Sequence, residues 1–242
     1  MEFNEKKKVV FSLLFPSIFV AVLWLVKLVE WEFNLSFVQY GILPRDIVGL
    51  RGIFFSPFIH GSFSHLINNS IPLLILGSTL FYFYKDIAFR VTFWSFILAG
   101  LYTWISARTS YHIGASGLVY SLFGFILLSG FIRKNIHLIS ISFLVAFLYG
   151  SLIWGILPWD ISMSWEGHFW GLILGIVLAF YYRKEGPQQK KFSWDIEPEI
   201  DAEQPVFGEY VDFEEEKTTD NSGDSKLKIV YEIKKEPNDK EN

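Results

Sequence analysis

Over the first 184 positions, apolar residues gather in blocks of roughly 18 to 22 separated by short polar or charged connections, and beyond them the chain turns polar. As a helix, a block of that length crosses a hydrocarbon layer of about 30 Å. The pattern predicts six helical spans, at roughly 9–29, 63–84, 88–107, 114–132, 136–156 and 166–182. The first is too long for a secretory leader and lacks a small-residue cleavage site, so it reads as an anchor. The expected fold is an all-α, multi-pass membrane bundle.

Composition agrees. Of 242 residues 51% are hydrophobic, with 25 Phe and 9 Trp, which excludes a disordered protein and an ordinary soluble domain for the chain as a whole. The aromatic stripes read as lipid-facing or interfacial belts rather than cofactor boxes. Lys and Arg near span ends set orientation, because positive connections stay in the cytoplasm. Counted alternately, Lys6, Lys7, Lys8, Lys85, Arg90, Arg133, Lys134, Arg183 and Lys184 fall on one side. Only Lys27, Arg45, Arg51 and Arg108 fall on the other. Both termini are therefore expected in the cytoplasm, with an even number of spans.

The modest net charge of −4 hides two unlike parts. From Glu185 onward the chain carries 17 acidic and 8 basic side chains, a net charge of −9, whereas the preceding part is positive by 5. A stretch such as "FSWDIEPEIDAEQPVFGEYVDFEEEK" has little to bury. Residues 185–242 are thus expected to form a disordered, acidic cytoplasmic tail open to a cytoplasmic partner, and residues 1–184 the membrane domain. The absence of cysteine excludes disulfides, thiol catalysis and Cys-based metal sites.

Strongly polar groups inside spans are expensive and mark function. Spans two, four and six begin "IHGSFSHLINNSIPLL", "GASGLVYSLFG" and "WEGHFWGLILG". In the orientation above all three run inward, so His65, Asn69, Ser116 and His168 share one depth in the outer part of the membrane. A serine hydroxyl needs a base within about 3 Å to become a nucleophile, and His168 has that chemistry. Small residues favour the close packing of spans four and six that this requires. Gly117, Ser121 and Gly124 line one face, and Gly167, Gly171 and Gly175 recur every four residues on the other. No carboxylate is placed to orient the histidine: Asp86 belongs to the opposite side, and Glu166 points away, being two residues from His168. Asp160 lies in the outer loop, where nothing requires it to fold back. The economical arrangement is a Ser-His dyad, with Tyr120 one turn after Ser116 offering its ring to the imidazole. An attacked carbonyl needs donors for its developing charge. His65 and Asn69 share a helix face and supply them, together with the backbone amide of Ser116. His60, near the outer boundary, takes a structural or supporting role.

Other readings compete. A GxSG string alone is a common packing motif, and an isolated Asn or His in a span often just bonds a neighbouring helix. Asn68 and His137 read as structural or interfacial. His60, His65 and His168 form a conceivable three-histidine set, but HExxH is absent and Glu166 is the sole acidic residue near them in sequence. No metal or cofactor is expected, nor a nucleic-acid partner. A transporter would want inverted repeats or mid-membrane carboxylates, and neither is visible.

Taken together and in order, "HGSFSHLINN", "GASGLVYSLFG" and "GHFWGLILG" resemble the rhomboid intramembrane serine proteases, over roughly residues 10–184. The resemblance implies a six-span bundle with Ser116 as nucleophile, His168 as general base, and His65 and Asn69 at the oxyanion hole. It further implies Tyr120 stacked on the histidine, Gly171 and Gly175 at the crossing of spans four and six, and His60 in support. The Trp-Arg pair of many family members is not matched in the loop 30–58, where Glu32 follows Trp31 and the arginines are Arg45 and Arg51. By the same resemblance "LPWDISMSWEG" caps the site and the substrates are transmembrane proteins reached through the lipid bilayer. A bacterial plasma membrane is the expected location, with the site towards the outer face. The alternative is a catalytically silent relative that binds membrane clients.

Overall fold

In a computed structural model of the chain, residues 2–148, 155–159 and 163–186 are described. The expected acidic tail beyond residue 186 and Asp160 lie outside them. The described part is all-helical. Its long helices are α1 (Glu2–Glu32), α2 (Phe63–Phe83), α3 (Ala88–Ser106), α4 (Ser116–Ile132), α5 (Ile136–Leu148) and α6 (Trp165–Tyr181). Each falls on one of the six apolar blocks. Glu5–Glu32, Phe63–Phe83 and Ala88–Ser106 are long and apolar enough to cross a membrane, while α4, α5 and α6 are apolar but shorter. The fifth block differs from expectation. Gly155 and Ile156, assigned to a helix from the sequence, already lie in a turn ahead of Pro158, whose ring disfavours a helical residue before it.

Helix starts follow local chemistry. Ser62 precedes α2 in an extended conformation, and its hydroxyl accepts the His65 amide at 3.1 Å, an N-cap that fixes where the His65–Asn69 face begins. α1 continues through Pro16, which costs a backbone hydrogen bond, and the ring fills the space left by Gly77 on α2. Between α1 and α2 the chain makes short helical turns at Val38–Tyr40, Val48–Arg51, Gly52–Phe55 and Ser56–Phe58.

Buried Leu66, Leu76, Leu80, Val91, Phe125 and Ile126 form the centre of the bundle. The pairing of α4 with α6 is the most extensive among the described helices. It is a backbone-to-backbone contact. A Cβ on Gly171 would collide with the Gly117 carbonyl, one on Gly175 with the Ser121 carbonyl, and one on Gly124 would lie 2.9 Å from the Leu172 carbonyl oxygen. On the far side Ser121 donates to Ser95 of α3 at 2.7 Å, so α4 is held between two helices.

Away from Ser116, the opposite ends of α4 and α6 are fastened by Arg133, just past α4. It is 4% exposed and donates to the Tyr182 and Glu185 carbonyls at 2.8 and 2.7 Å, tying the residues just past α6 to the end of α4. Its guanidinium also lies 5.2 Å from the centre of the Tyr84 ring. At the Ser116 end, α1 ties the first loop to α2. Lys27 pairs with buried Glu30 at 3.2 Å and donates to the His60 carbonyl at 2.8 Å, while Glu30 accepts the Phe37 amide at 2.7 Å.

The glycine crossing makes a direct prediction. Gly175→Ala drives a methyl into backbone atoms that cannot rotate away, and is expected to destabilise the detergent-solubilised protein by about 1–3 kcal/mol. Gly61→Ala, whose new Cβ would meet its nearest neighbour at 3.9 Å, is the control expected to leave the unfolding transition in place. Equal transitions for the two variants would show that the crossing is not tight.

Candidate active site

Three helix starts meet at one end of the bundle: the first turns of α2, α4 and α6. Ser116 opens α4 directly after Gly114 and Ala115. Gly114 sits at φ +106°, a conformation that L side chains rarely adopt. A Cβ there would also lie 2.7 Å from His65 Nε2. Glycine is thus required twice at this position, once to turn the chain into α4 and once to admit the His65 ring.

His168 lies one turn into α6 and is buried. Its Nε2 is 2.7 Å from the Ser116 hydroxyl. Its Nδ1 is 2.8 Å from the Gly155 carbonyl oxygen. A carbonyl only accepts, so Nδ1 carries the proton and Nε2 is left to accept from Ser116. The imidazole is further held by Tyr120, whose ring stacks on it with centroids 4.4 Å apart and planes 13° from parallel. Among the described residues no carboxylate takes the place of Gly155. Glu166 is directed away from the imidazole to an ion pair with Arg108 at 2.9 Å.

His65 and Asn69 lie against the start of α4 from α2. The Asn69 side-chain nitrogen donates to the His65 carbonyl at 3.2 Å and is 3.6 Å from the position of a Gly114 Cβ. His60 is buried beside them, its ring edge-on to His65 with centroids 5.0 Å apart. The amides of Ser116 and Gly117 belong to the first turn of α4, where a helix leaves its N–H groups without intrahelical acceptors. Thus Ser116, His168, Tyr120, His65, Asn69 and His60 all come to one end, with Gly171 and Gly175 at the crossing below. Asn68 and His137 stand apart and exposed.

Behind Ser116, on the side facing α3, a cavity of about 40 Å³ is lined by Ser56, Thr103, His112, Ser116, Ser164 and Gly167, among others. That volume exceeds the roughly 10–15 Å³ that one water needs, and its lining offers polar partners. Burial, the largest influence on His112, pushes the pKa of its imidazole below the ordinary histidine value. Among the described residues no cluster of His, Cys, Asp or Glu could hold a metal ion.

Two features escape a sequence reading. Every residue has a carbonyl, so nothing marks Gly155 as the partner of His168. Arg45, left without a role when the Trp-Arg pair could not be matched, takes a positive φ of 60° and donates to the Ala107 carbonyl at 2.8 Å and the Thr109 hydroxyl at 3.2 Å. A lone arginine after a proline carries no signal of that partner.

Residues 49–185 match the family described as Rhomboid domain. Uncharacterized proteins of Mycobacterium bovis and Mycobacterium tuberculosis are each 36% identical over 184 residues, covering 71% of this chain and 75% of theirs. One of Mycobacterium leprae is 34% identical over 184 residues, covering 71% of each chain. With a family match over more than half its length and apolar helices fit to cross a bilayer, the chain is an integral membrane protein of the rhomboid family.

Proposed function

We propose that the chain is an intramembrane serine endopeptidase that cleaves transmembrane or juxtamembrane segments of membrane-protein substrates with a Ser116–His168 dyad. The observation that carries this reading is the 2.7 Å contact of Ser116 Oγ with a His168 imidazole whose other nitrogen is bonded to Gly155. Six spans with both termini cytoplasmic put the dyad towards the outer face. Residues 1–184 form the membrane protease domain, and the acidic segment 185–242, whose first residue still accepts from Arg133, is a tail for a cytoplasmic partner.

The chemistry follows from the geometry. Ser116 Oγ attacks the carbonyl carbon of the scissile peptide bond while His168 Nε2 takes the hydroxyl proton. The tetrahedral oxyanion is met by the His65 and Asn69 side chains and the Ser116 amide. As the C–N bond breaks, His168 returns the proton to the departing amine, leaving an ester on Ser116. Water then attacks the ester, giving its proton to His168, and as the second tetrahedral intermediate collapses His168 returns that proton to the departing Ser116 Oγ, releasing the acid product and restoring the dyad. The Gly155 carbonyl and the Tyr120 ring hold the imidazole in place throughout. A neutral carbonyl orients but adds no full counter-charge, which distinguishes this arrangement from a carboxylate-backed triad. Because a helical peptide bond is shielded by its own hydrogen bonds, substrates with Gly, Pro or polar residues near the outer end of their helix unwind at least cost.

A catalytically silent client-binding relative would share the bundle without an activated serine. Labelling of the full chain in detergent by a fluorophosphonate separates the two. Wild type is expected to label, Ser116→Ala and His168→Ala to abolish the label, and Asn69→Ala to slow it about a hundredfold, the usual loss for one oxyanion donor. Absence of label on folded wild type would overturn the protease reading.

The assigned tautomer is checked separately by nitrogen NMR of histidine-labelled protein at neutral pH. His168 is expected to carry its proton on Nδ1. A proton on Nε2 would contradict the bond to Gly155.

A further inference from the structure

Outside the dyad, a second polar cluster gathers on the loop 107–115 between α3 and α4. Arg108 Nη1 donates to both carboxylate oxygens of Glu166, at 3.1 and 2.9 Å, and its backbone amide donates to the same carboxylate at 3.2 Å. Arg108 Nη2 donates to the Met163 carbonyl at 2.6 Å. Four residues on, His112 Nε2 lies 3.0 Å from the Arg108 carbonyl oxygen, which makes that nitrogen the donor. His112 Nδ1 then accepts from the Ser164 hydroxyl at 2.6 Å. The loop therefore grips Met163, Ser164 and Glu166, the residues that lead into α6 and begin it. The loop is itself held from behind: His112 exchanges backbone hydrogen bonds with Ile42, and Arg45 donates to Ala107 and Thr109.

We propose that Arg108 and His112 are positioning residues that set His168 against Ser116, an inference that rests on the dyad reading above. Glu166 and His168 are two positions apart, about 200° around the helix, so one faces the loop and the other the serine. A bond to Glu166 on one side and to Ser116 on the other fixes the rotation of the first turn of α6. Ser164 fixes its height, since its carbonyl accepts the His168 amide at 3.2 Å. The same loop runs directly into Ser116 through Gly114. One short segment thus delivers the nucleophile and holds the helix that carries its base. The Glu166 carboxylate is 7% exposed, so removing its arginine leaves a buried anion short of partners and releases the turn.

The test uses the full chain in detergent, comparing wild type with Arg108→Gln, Arg108→Lys and Ser164→Ala. Arg108→Gln is expected to slow fluorophosphonate labelling about tenfold or more, as a small misplacement of a catalytic group does. On a transmembrane substrate the loss is expected in kcat with KM little changed, and Arg108→Lys is expected to recover part of it. Hydrogen exchange supplies a readout independent of activity. Amides 165–170 are expected to exchange about tenfold faster in Arg108→Gln, and those of the centre of α4 at the wild-type rate. Ser164→Ala, which removes only a hydroxyl, is expected to show both effects in smaller measure and keeps the test decisive if Arg108→Gln does not fold. Wild-type exchange across 165–170 in folded variants overturns the proposal. Failure of wild type to label overturns the dyad reading instead, while exchange still decides whether the loop holds α6.

Discussion

Two helix backbones cannot touch while either carries a Cβ at the point of crossing, and the arrangement of this protein depends on meeting that condition between α4 and α6. Gly171 and Gly175 lie against the Gly117 and Ser121 carbonyls. In hydrocarbon, where lipid tails satisfy apolar side chains as well as a neighbouring helix does, such close packing is what draws two helices together. Without it the hydroxyl of Ser116 and the imidazole of His168, on different helices, would not come within 2.7 Å. The remaining helices take positions that this pair allows: α3 on the other side of α4 through Ser95, and α2 at the site end through His65 and Asn69.

The site is expensive in its setting, and the groups of the dyad and Asn69 have partners that make it tolerable, whereas among the described residues the buried His60 ring meets His65 edge-on without a hydrogen bond of its own. His168 uses both ring nitrogens, Ser116 faces His168, and Asn69 is bonded to the His65 carbonyl. Buried Glu30 has both Lys27 and the Phe37 amide, so the ion pair at the end of α1 is supplied with the extra hydrogen bonds a buried pair needs. These bonds converge on the three helix starts, and they hold in one place the groups the proposed chemistry uses.

Much of this was legible in the residues. Hydropathy located every long helix to within a few residues at most ends, because a span's length is set by the bilayer and its polar flanks by water. The polar residues at the starts of spans two, four and six pointed to the end of the bundle where His65, Asn69, Ser116 and His168 meet, and the small-residue spacing named the helices that had to touch. What was not legible has a common physical character. The Gly155 carbonyl, the His60 carbonyl that takes Lys27, and the carbonyls capped by Arg45 and Arg133 are backbone acceptors, identical at every residue. The turn at Gly155 and Ile156 belongs with them, since apolar composition continues through both residues.

Arg133 has a consequence that reaches the membrane itself. Fastened by glycine contacts along their length and by a guanidinium at the end remote from the serine, α4 and α6 form one stiff strut. When bilayer thickness changes, a helix responds by tilting, and a strut tilts without shear between its members. The separation of Ser116 and His168 is thereby insulated from lipid chain length, and adjustment to thicker or thinner membranes falls to the helices at its periphery.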